Sequence, residues 1–467
     1  MRITVIGTGY LGATHAACMA ELGFEVLGMD TDSEKVAALS AGLPPFYEPG
    51  LADLLRRQLN CGRLRFTDSY LDIPAFTAGA PAVHFLCVGT PQRPGADSAD
   101  LRFVERALDD LIPQLTASGL VVGKSTVPVG TAERLAARIG ARAELAWNPE
   151  FLREGFAIGD TLAPARLVFG VRTARAERLL RQVYRGALTR GVPLVVTDLA
   201  TAELVKVSAN AFLSTKISFI NAMAEVCEAT GADVAQLAQA LSHDPRIGGQ
   251  YLLPGLGFGG GCLPKDIRAF LARGNELGVE RTLTFLREVD AINLRRRVRM
   301  VDLTREQCGG SFRGKRVAAW GAAFKPGSDD VRDSPALSVA ASIQLQGAQV
   351  TVYDPKAADN AHRHFPELGY ADSALEAATG ADVVLHLTDW PEFQELDPAL
   401  VGAVTTRRRL VDGRNTLDDQ RWRAAGWTVR ALGRPDRTVR AKAVGSRLRG
   451  PVLGRPPDRS APPPRRP

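Results

Sequence analysis

The chain contains no run of about 18 consecutive apolar residues, the length that a membrane-spanning helix requires. No leader is expected, because Met1 runs straight into RITVIG (residues 2–7) with neither a basic segment nor a small-residue cleavage site. Both absences point to a cytoplasmic protein with no membrane partner. Cysteine is scarce, at Cys18, Cys61, Cys87, Cys227, Cys262 and Cys308, and no two form a CxxC pair. That scatter argues against a zinc site and a disulfide framework, so no metal is expected and each thiol is judged alone.

What is present suits a globular protein, with 45% hydrophobic and 23% charged residues. At roughly 150 residues per domain, 467 residues make two or three domains. The net charge of +7 would suggest a nucleic-acid partner if it were spread over the body. Residues 434–467, however, hold ten Lys or Arg against two Asp, which leaves the other 433 residues at −1. This Pro- and Arg-rich end has no sustained apolar periodicity and reads as a disordered basic tail, with no nucleic acid expected on the body.

The first block alternates strands and helices. RITVIG leads into a helix reaching about residue 23, and FEVLGMD (24–30) is a second strand ending in an acid. PAVHFLCVGTP (81–91) and LVVGKSTVP (120–128) are short apolar runs closed by Gly, Thr and Pro, the pattern of buried parallel strands. KRVAAWG (315–321), QVTVYDP (349–355), ADVVLHLTDW (381–390) and RLVDGRN (409–415) repeat that order. Between the blocks the periodicity is helical, with one segment long enough for a helix of about 25 residues. The expected fold is α/β: two Rossmann-like doubly wound domains (1–197 and 309–433) joined by a central helical segment (198–308), plus a disordered basic C-terminal tail (434–467). Long helices in that position suit a spine and a dimer interface.

Four motifs carry chemistry. Gly7-Thr8-Gly9-Tyr10-Leu11-Gly12 follows a strand and opens a helix, and Asp30 ends the next strand. Glycines there admit a pyrophosphate, the helix N-terminus stabilises its charge, and the acid takes a ribose 2′-hydroxyl while repelling a 2′-phosphate, which favours NAD. The second motif, residues 257–266 (GFGGGCLPKD), sets Cys262 among glycines that leave backbone amides open, with Lys265 and Asp266 adjacent. The third places Lys206 and Asn210 four residues apart, on one helical face, where a merely solvated face is the alternative. The fourth, Asn148-Pro149-Glu150-Phe151-Leu152-Arg153-Glu154, comes after the fourth strand of the first block and by itself is an ordinary loop and helix start.

Together with KSTVPVG (124–130), AELVKVSANAF (202–212), DPRIG (244–248), FKPGSDDVRDSP (324–335) and DGRN (412–415), these motifs resemble, in order over about residues 1–432, the UDP-glucose/GDP-mannose dehydrogenase family. The resemblance implies a four-electron, NAD-dependent oxidation of a nucleotide sugar at C6, through a thiohemiacetal and a thioester on Cys262. UDP-glucose is the expected substrate, with GDP-mannose or a UDP-N-acetyl-hexosamine as alternatives; a noncatalytic dinucleotide-binding regulator is the alternative of another class. By resemblance Lys206 and Asp266 serve the first oxidation, Asn210 and Lys206 face the oxyanion, and Glu154, Asp266 and Thr126 lie by the hydrolytic water. Cofactor contacts are implied for Gly7, Gly9, Tyr10, Leu11, Gly12, Asp30, Lys35, Thr90, Thr126, Glu154, Lys265 and Arg332. Substrate contacts are implied for Glu150, Phe151, Leu152, Arg153, Glu154, Lys206, Asn210, Tyr251, Leu252, Leu253, Gly257, Phe258, Gly259, Cys262, Phe324, Lys325 and Arg414. Glu150 is also implied to lie near the lysine. Arg246 resembles an arginine that reaches a neighbouring subunit's site, which implies a homodimer or higher homo-oligomer. The sequence departs from the family pattern at Leu11, Ser328 and Gly261, of which Gly261 is expected to loosen the position of Cys262.

Overall fold

In the computed structural model, residues 1–116 and 118–435 are described. Strands β1 (Arg2–Ile6) and β5 (Leu120–Gly123) show why the apolar runs lack simple alternation. Ile3, Val5, Leu120 and Val122 pack into one core, whereas Ile6 and Val121 pack into another on the opposite face. A strand covered on both sides must be apolar throughout. These strands lie in an eight-stranded sheet with β2 (Glu25–Met29), β3 (Leu64–Thr67), β4 (Ala82–Leu86), β6 (Glu144–Trp147), β7 (Leu167–Gly170) and β8 (Leu194–Thr197). Its order is β3-β2-β1-β4-β5-β6-β7-β8, parallel except where β7 meets β6 through Trp147 and Gly170.

The segment starting at Asn148 therefore follows the sixth strand, not the fourth. Strands β3 (LRFT) and β6 (ELAW) each have four residues and include a charged one, too little for period-2 recognition.

The second sheet contains β9 (Arg316–Trp320), β10 (Gln349–Tyr353), β11 (Gly369–Tyr370), β12 (Val383–His386), β13 (Arg409–Asp412) and β14 (Thr428–Ala431). Its order is β11-β10-β9-β12-β13-β14, all parallel, around a separate core. Two doubly wound sheets of this kind are the architecture expected from the repeated strand order.

Between them runs a 32-residue helix, Leu199–Thr230, longer than expected. The Asp198 side chain accepts from Thr201 N at its start, and Gly231, at φ 76°, ends it. The helix Phe285–Gln307 packs along it, with Ser218 Oγ donating to Val289 O at 2.7 Å.

Among the described residues no helix is long and apolar enough to cross a membrane. The expected tail lies outside the described residues except for its first two. Of these, Arg434 belongs to the folded body, since its backbone N–H donates to Ala431 O at 3.4 Å and Nη2 to Asn415 O at 3.5 Å.

Candidate active site

Carboxyl ends of parallel strands converge on one cleft, where doubly wound folds bind ligands. Gly7 follows β1, Thr90 lies beyond β4, Lys124 to Thr126 follow β5, Asn148 to Glu154 follow β6, and Phe324 and Lys325 lie beyond β9. At the fingerprint Gly7 has φ +85°, and a Cβ on Gly12 would sit 1.8 Å from Gly7 O. Only glycine allows that turn. The helix Tyr10–Glu21 begins at Gly9 without a side-chain cap, which leaves its first amides for an anion. Asp30 Oδ2 accepts from Thr8 N at 2.8 Å and from Lys35 Nζ at 3.1 Å, which fixes the acid at the end of β2. A glycine cradle too tight for a Cβ, open helix amides and a fixed carboxylate fit a dinucleotide with a free ribose 2′-hydroxyl.

Two fingerprint side chains point elsewhere. Tyr10 OH donates to Glu48, and Leu11 packs on the first core, so only their backbones remain for a cofactor.

Cys262 stands exposed at the N-cap of the helix Leu263–Glu276, which puts Asp266 one turn along. Asp266 is 3% exposed and receives Asn210 Nδ2 at 2.6 Å and Lys265 Nζ at 2.5 Å. The long helix thus brings Asn210 to the cysteine helix, while Lys206, one turn earlier, places Nζ 5.5 Å from the Phe151 ring. Its Glu203 accepts from Gly130 N at 2.7 Å and Ala132 N at 2.6 Å, which locks the loop carrying Thr126 to the same helix. Thr126 O in turn accepts from Thr90 Oγ1 at 2.8 Å.

Glu154 bridges the domains. Its Oε2 accepts from Ser328 Oγ at 2.8 Å, its carbonyl accepts from Lys325 Nζ at 2.7 Å, and Arg332 Nη2 stands 3.7 Å from Oε1. Burial raises the Glu154 pKa, helped by Asp330 and opposed by Ser328, Arg332 and Lys325. Burial lowers that of Lys325, with Glu154 opposing. The Cys262 thiol is pushed up by the protein packed around its sulfur and by Asp266, while Lys265 and Lys206 pull the other way. Although the residue is open to solvent on one side, that balance favours the thiol over the thiolate.

Several expected contacts are placed differently. The side chains of Leu252 and Phe258 are buried in two hydrophobic clusters of the central segment and not in the cleft. Asn293 fixes Phe258 by accepting its N–H at 2.7 Å and donating to its carbonyl at 2.9 Å. Glu150 does face a lysine, but the one it pairs with is Lys124, at 3.0 Å. A Cβ on Gly261 would meet the Arg332 guanidinium at 2.3 Å, so the space beside this glycine is filled by Arg332.

Arg414 donates to Leu387 O at 2.6 Å and Phe324 O at 3.1 Å, pinning the second sheet domain's loops. Tyr251 holds φ 64°, Leu253 is 69% exposed, and Gly257 and Gly259 shape the loop before Cys262. Leu152 and Arg153 lie on the same loop as Glu154, with Arg153 bound to Asp160 at 2.8 Å. Arg246 is 87% exposed and meets Asp244 rather than this cleft.

Sequence reading missed Glu48 and gave Lys124 no role. Their only signal is an acid in a Pro-Gly loop and a lysine at a strand end.

Three domain profiles of the UDP-glucose/GDP-mannose dehydrogenase family match in order: the NAD binding domain over residues 1–188, the central domain over 200–295 and the UDP binding domain over 318–419. The UDP-glucose 6-dehydrogenase of Rhizobium meliloti (strain 1021) is 39% identical over 443 residues, covering 93% of this chain and 100% of that protein. A solved UDP-glucose dehydrogenase from Pyrobaculum islandicum superimposes with a TM-score of 0.84 at 37% identity, over 93% of this chain and 98% of the other. A UDP-D-ManNAc dehydrogenase from Pyrococcus horikoshii superimposes at 0.80 with 28% identity, over 93% and 99%. With a fitting dinucleotide cradle and a thiol, amine, amide and carboxylates around one cleft, the chain belongs to the UDP-glucose/GDP-mannose dehydrogenase family.

Proposed function

We propose that this protein is an NAD-dependent UDP-glucose 6-dehydrogenase, forming UDP-glucuronate in one cleft. The observation that carries the reading is the meeting of Cys262, Lys206, Asn210, Asp266 and Glu154 beside the dinucleotide cradle, in a chain 39% identical to a UDP-glucose 6-dehydrogenase. NAD, when bound, supplies the hydride acceptor for each of the two oxidations.

Lys206, with a water held by Asp266, takes the C6 hydroxyl proton as hydride departs, which leaves an aldehyde. Cys262 then forms a C–S bond to the aldehyde carbon, and its thiol proton passes through Lys206 to the former carbonyl oxygen. The raised thiol pKa makes this proton transfer part of the step rather than a prior ionisation. Once Lys206 has released its first proton to solvent, it takes the hydroxyl proton of this adduct as the second hydride departs, and the C–O bond becomes the carbonyl of a thioester. Glu154 draws a proton from the water that attacks it, and the C–S bond breaks to return the thiol. A carboxylate whose pKa is raised by burial is a stronger base for that step than an ordinary one. One Asn210 N–H is spent on Asp266, and the amide's second N–H is left for the oxyanion. Lys325 and Arg414 add positive charge on the nucleotide-sugar side. A noncatalytic binder would need none of these reacting groups.

The experiment is NADH release from a panel of nucleotide sugars, counting NADH per sugar consumed. Two per UDP-glucose supports the proposal. Preference for a UDP-N-acetyl-hexosamine selects the second reading, favoured by the likeness to the ManNAc enzyme, and no turnover with any sugar rejects both.

We further propose a homodimer in the cytoplasm, where reducing conditions keep Cys262 free. Phe212, Phe219 and Val226, seven residues apart on the long helix, are 66%, 49% and 52% exposed and form one apolar stripe. If such pairing carries Arg246 into the neighbour's cleft, mixing Arg246→Ala with Cys262→Ala should restore activity in hybrid dimers. Absence of recovery after demonstrated subunit exchange would confine each site to one chain.

A further inference from the structure

Glu48 is 5% exposed and lies in the loop before the helix Leu51–Asn60, far in sequence from every group assigned to the reaction. Both of its oxygens are occupied. Oε2 accepts from Gly155 N at 2.6 Å and from the Tyr10 hydroxyl, and Oε1 accepts from Ala157 N at 2.8 Å. Tyr10 is the fingerprint residue whose side chain turns away from the cradle, and its ring packs 4.7 Å from that of Phe46. Its hydroxyl also accepts from Gly155 N at 3.1 Å. One carboxylate thereby joins the first residue of the cofactor-binding helix to the backbone directly after Glu154.

The other side of that backbone is held by the second sheet domain. Lys325 and Ser328 bond to Glu154, and a Cβ on Gly155 would lie 2.9 Å from Gly327 O. Next to Glu48, the Tyr47 ring receives Lys356 Nζ at 4.9 Å from that same domain. The segment Glu154–Ala157 is therefore gripped by the dinucleotide cradle through Tyr10 and Glu48, and by the nucleotide-sugar domain through residues 325–328. A ligand that orders either grip lowers the cost of ordering the other.

We infer that Glu48 is a positioning residue that, through Tyr10, couples cofactor binding at the fingerprint to nucleotide-sugar binding at the Glu154 loop, so that each ligand tightens the other. The inference rests on the proposed substrate class. Its reach is the ratio between two affinities, which distinguishes coupling from general support of the fold.

The test is calorimetric titration of UDP-glucose into the full chain with and without saturating NADH, a pair that does not turn over. Wild type should bind UDP-glucose at least about fivefold more tightly with NADH present. In Glu48→Gln, which removes the charge and one acceptor, the two affinities should agree within about twofold. Should Glu48→Gln fail to fold, Tyr10→Phe carries the test, because it keeps the ring on Phe46 and the Glu48 bonds to Gly155 and Ala157 while cutting the link to the fingerprint. A purely structural role would weaken both affinities alike and preserve their ratio. A wild-type ratio near one, or the wild-type ratio retained in Tyr10→Phe, overturns the coupling. Failure of wild type to bind UDP-glucose in either condition, with NADH binding intact, instead overturns the substrate assignment and the coupling falls with it.

Discussion

Replacing Lys124 by Met removes a cation whose side chain is 3% exposed. Its Nζ donates to Asn148 Oδ1 at 3.1 Å and Tyr184 OH at 3.3 Å and meets Glu150 Oε2 at 3.0 Å, which uses all three ammonium protons. Burial by itself, the largest single effect, would pull the lysine's pKa down, but the Glu150 carboxylate together with the Tyr184 hydroxyl and the Cys87 thiol outweighs it and holds the group above the ordinary lysine range. Lys124 is therefore charged at neutral pH, and its loss strands a carboxylate whose side chain is 15% exposed. Breaking a buried pair from one side costs about 3–5 kcal/mol. Glu150 keeps the Phe151 and Leu152 amides at 2.8 and 3.1 Å, so the lower end, about 3 kcal/mol, is expected. That is roughly a hundredfold in the folded to unfolded ratio. Glu150→Gln in the Lys124→Met background should return about 1–2 kcal/mol, because no charge is then left unpaired. Urea unfolding followed by fluorescence is suited to this, since Trp147 is the only tryptophan in the first 197 residues and lies in the neighbouring strand. A loss below about 1 kcal/mol, or a double variant no more stable than Lys124→Met, would refute the account of this network as a charge held in place.

Other expectations follow from the same geometry. Cys262→Ala should abolish uronate formation while NAD binding persists, and Cys262→Ser should give at most a slow burst with a sugar adduct on residue 262 in the intact-protein mass; near-normal turnover by the Ala variant would remove covalent catalysis. Asp30→Ala should weaken NAD and relax discrimination against NADP, because a carboxylate about 4 Å from a 2′-phosphate costs about 1–4 kcal/mol, and Lys35 Nζ, now 3.1 Å from Asp30, is freed for the phosphate. Equal use of both cofactors by wild type would contradict this. In single-turnover experiments thioester formation should quicken as pH rises toward the raised pKa of the Cys262 thiol, and hydrolysis should slow as pH falls through a Glu154 pKa above the ordinary carboxylate range. Flat profiles for both steps would place the titrating groups elsewhere.

Much of this was legible in one dimension. Continuous apolar strands followed by Gly, Thr or Asp carry the doubly wound fold, because parallel strands are buried on both faces and end at a ligand cleft. The four-residue spacing of Lys206 and Asn210 is likewise local helical geometry. Strands β3 and β6 were not recognisable, since four residues with a charge fall below any periodic signal. The 32-residue length of the central helix depends on where caps stand, at Asp198 and Gly231, rather than on its apolar repeat.

The sequence by itself determined the fold class and the glycine cradle, because each is a property of neighbours along the chain, and it supplied the candidate reacting groups through resemblance. Tertiary structure alone decided which side chains face the cleft. Tyr10 turns to Glu48 and Leu252 and Phe258 fill cores, although all three lie in ligand-shaped motifs. It also decided the partners of buried charge. Glu48 meets Gly155 across 107 positions and Lys124 meets Glu150 across a helix and a strand. A lone ionisable residue in a loop has no periodicity to reveal its partner, and only burial, which makes an unpaired charge costly, dictates that one must be found.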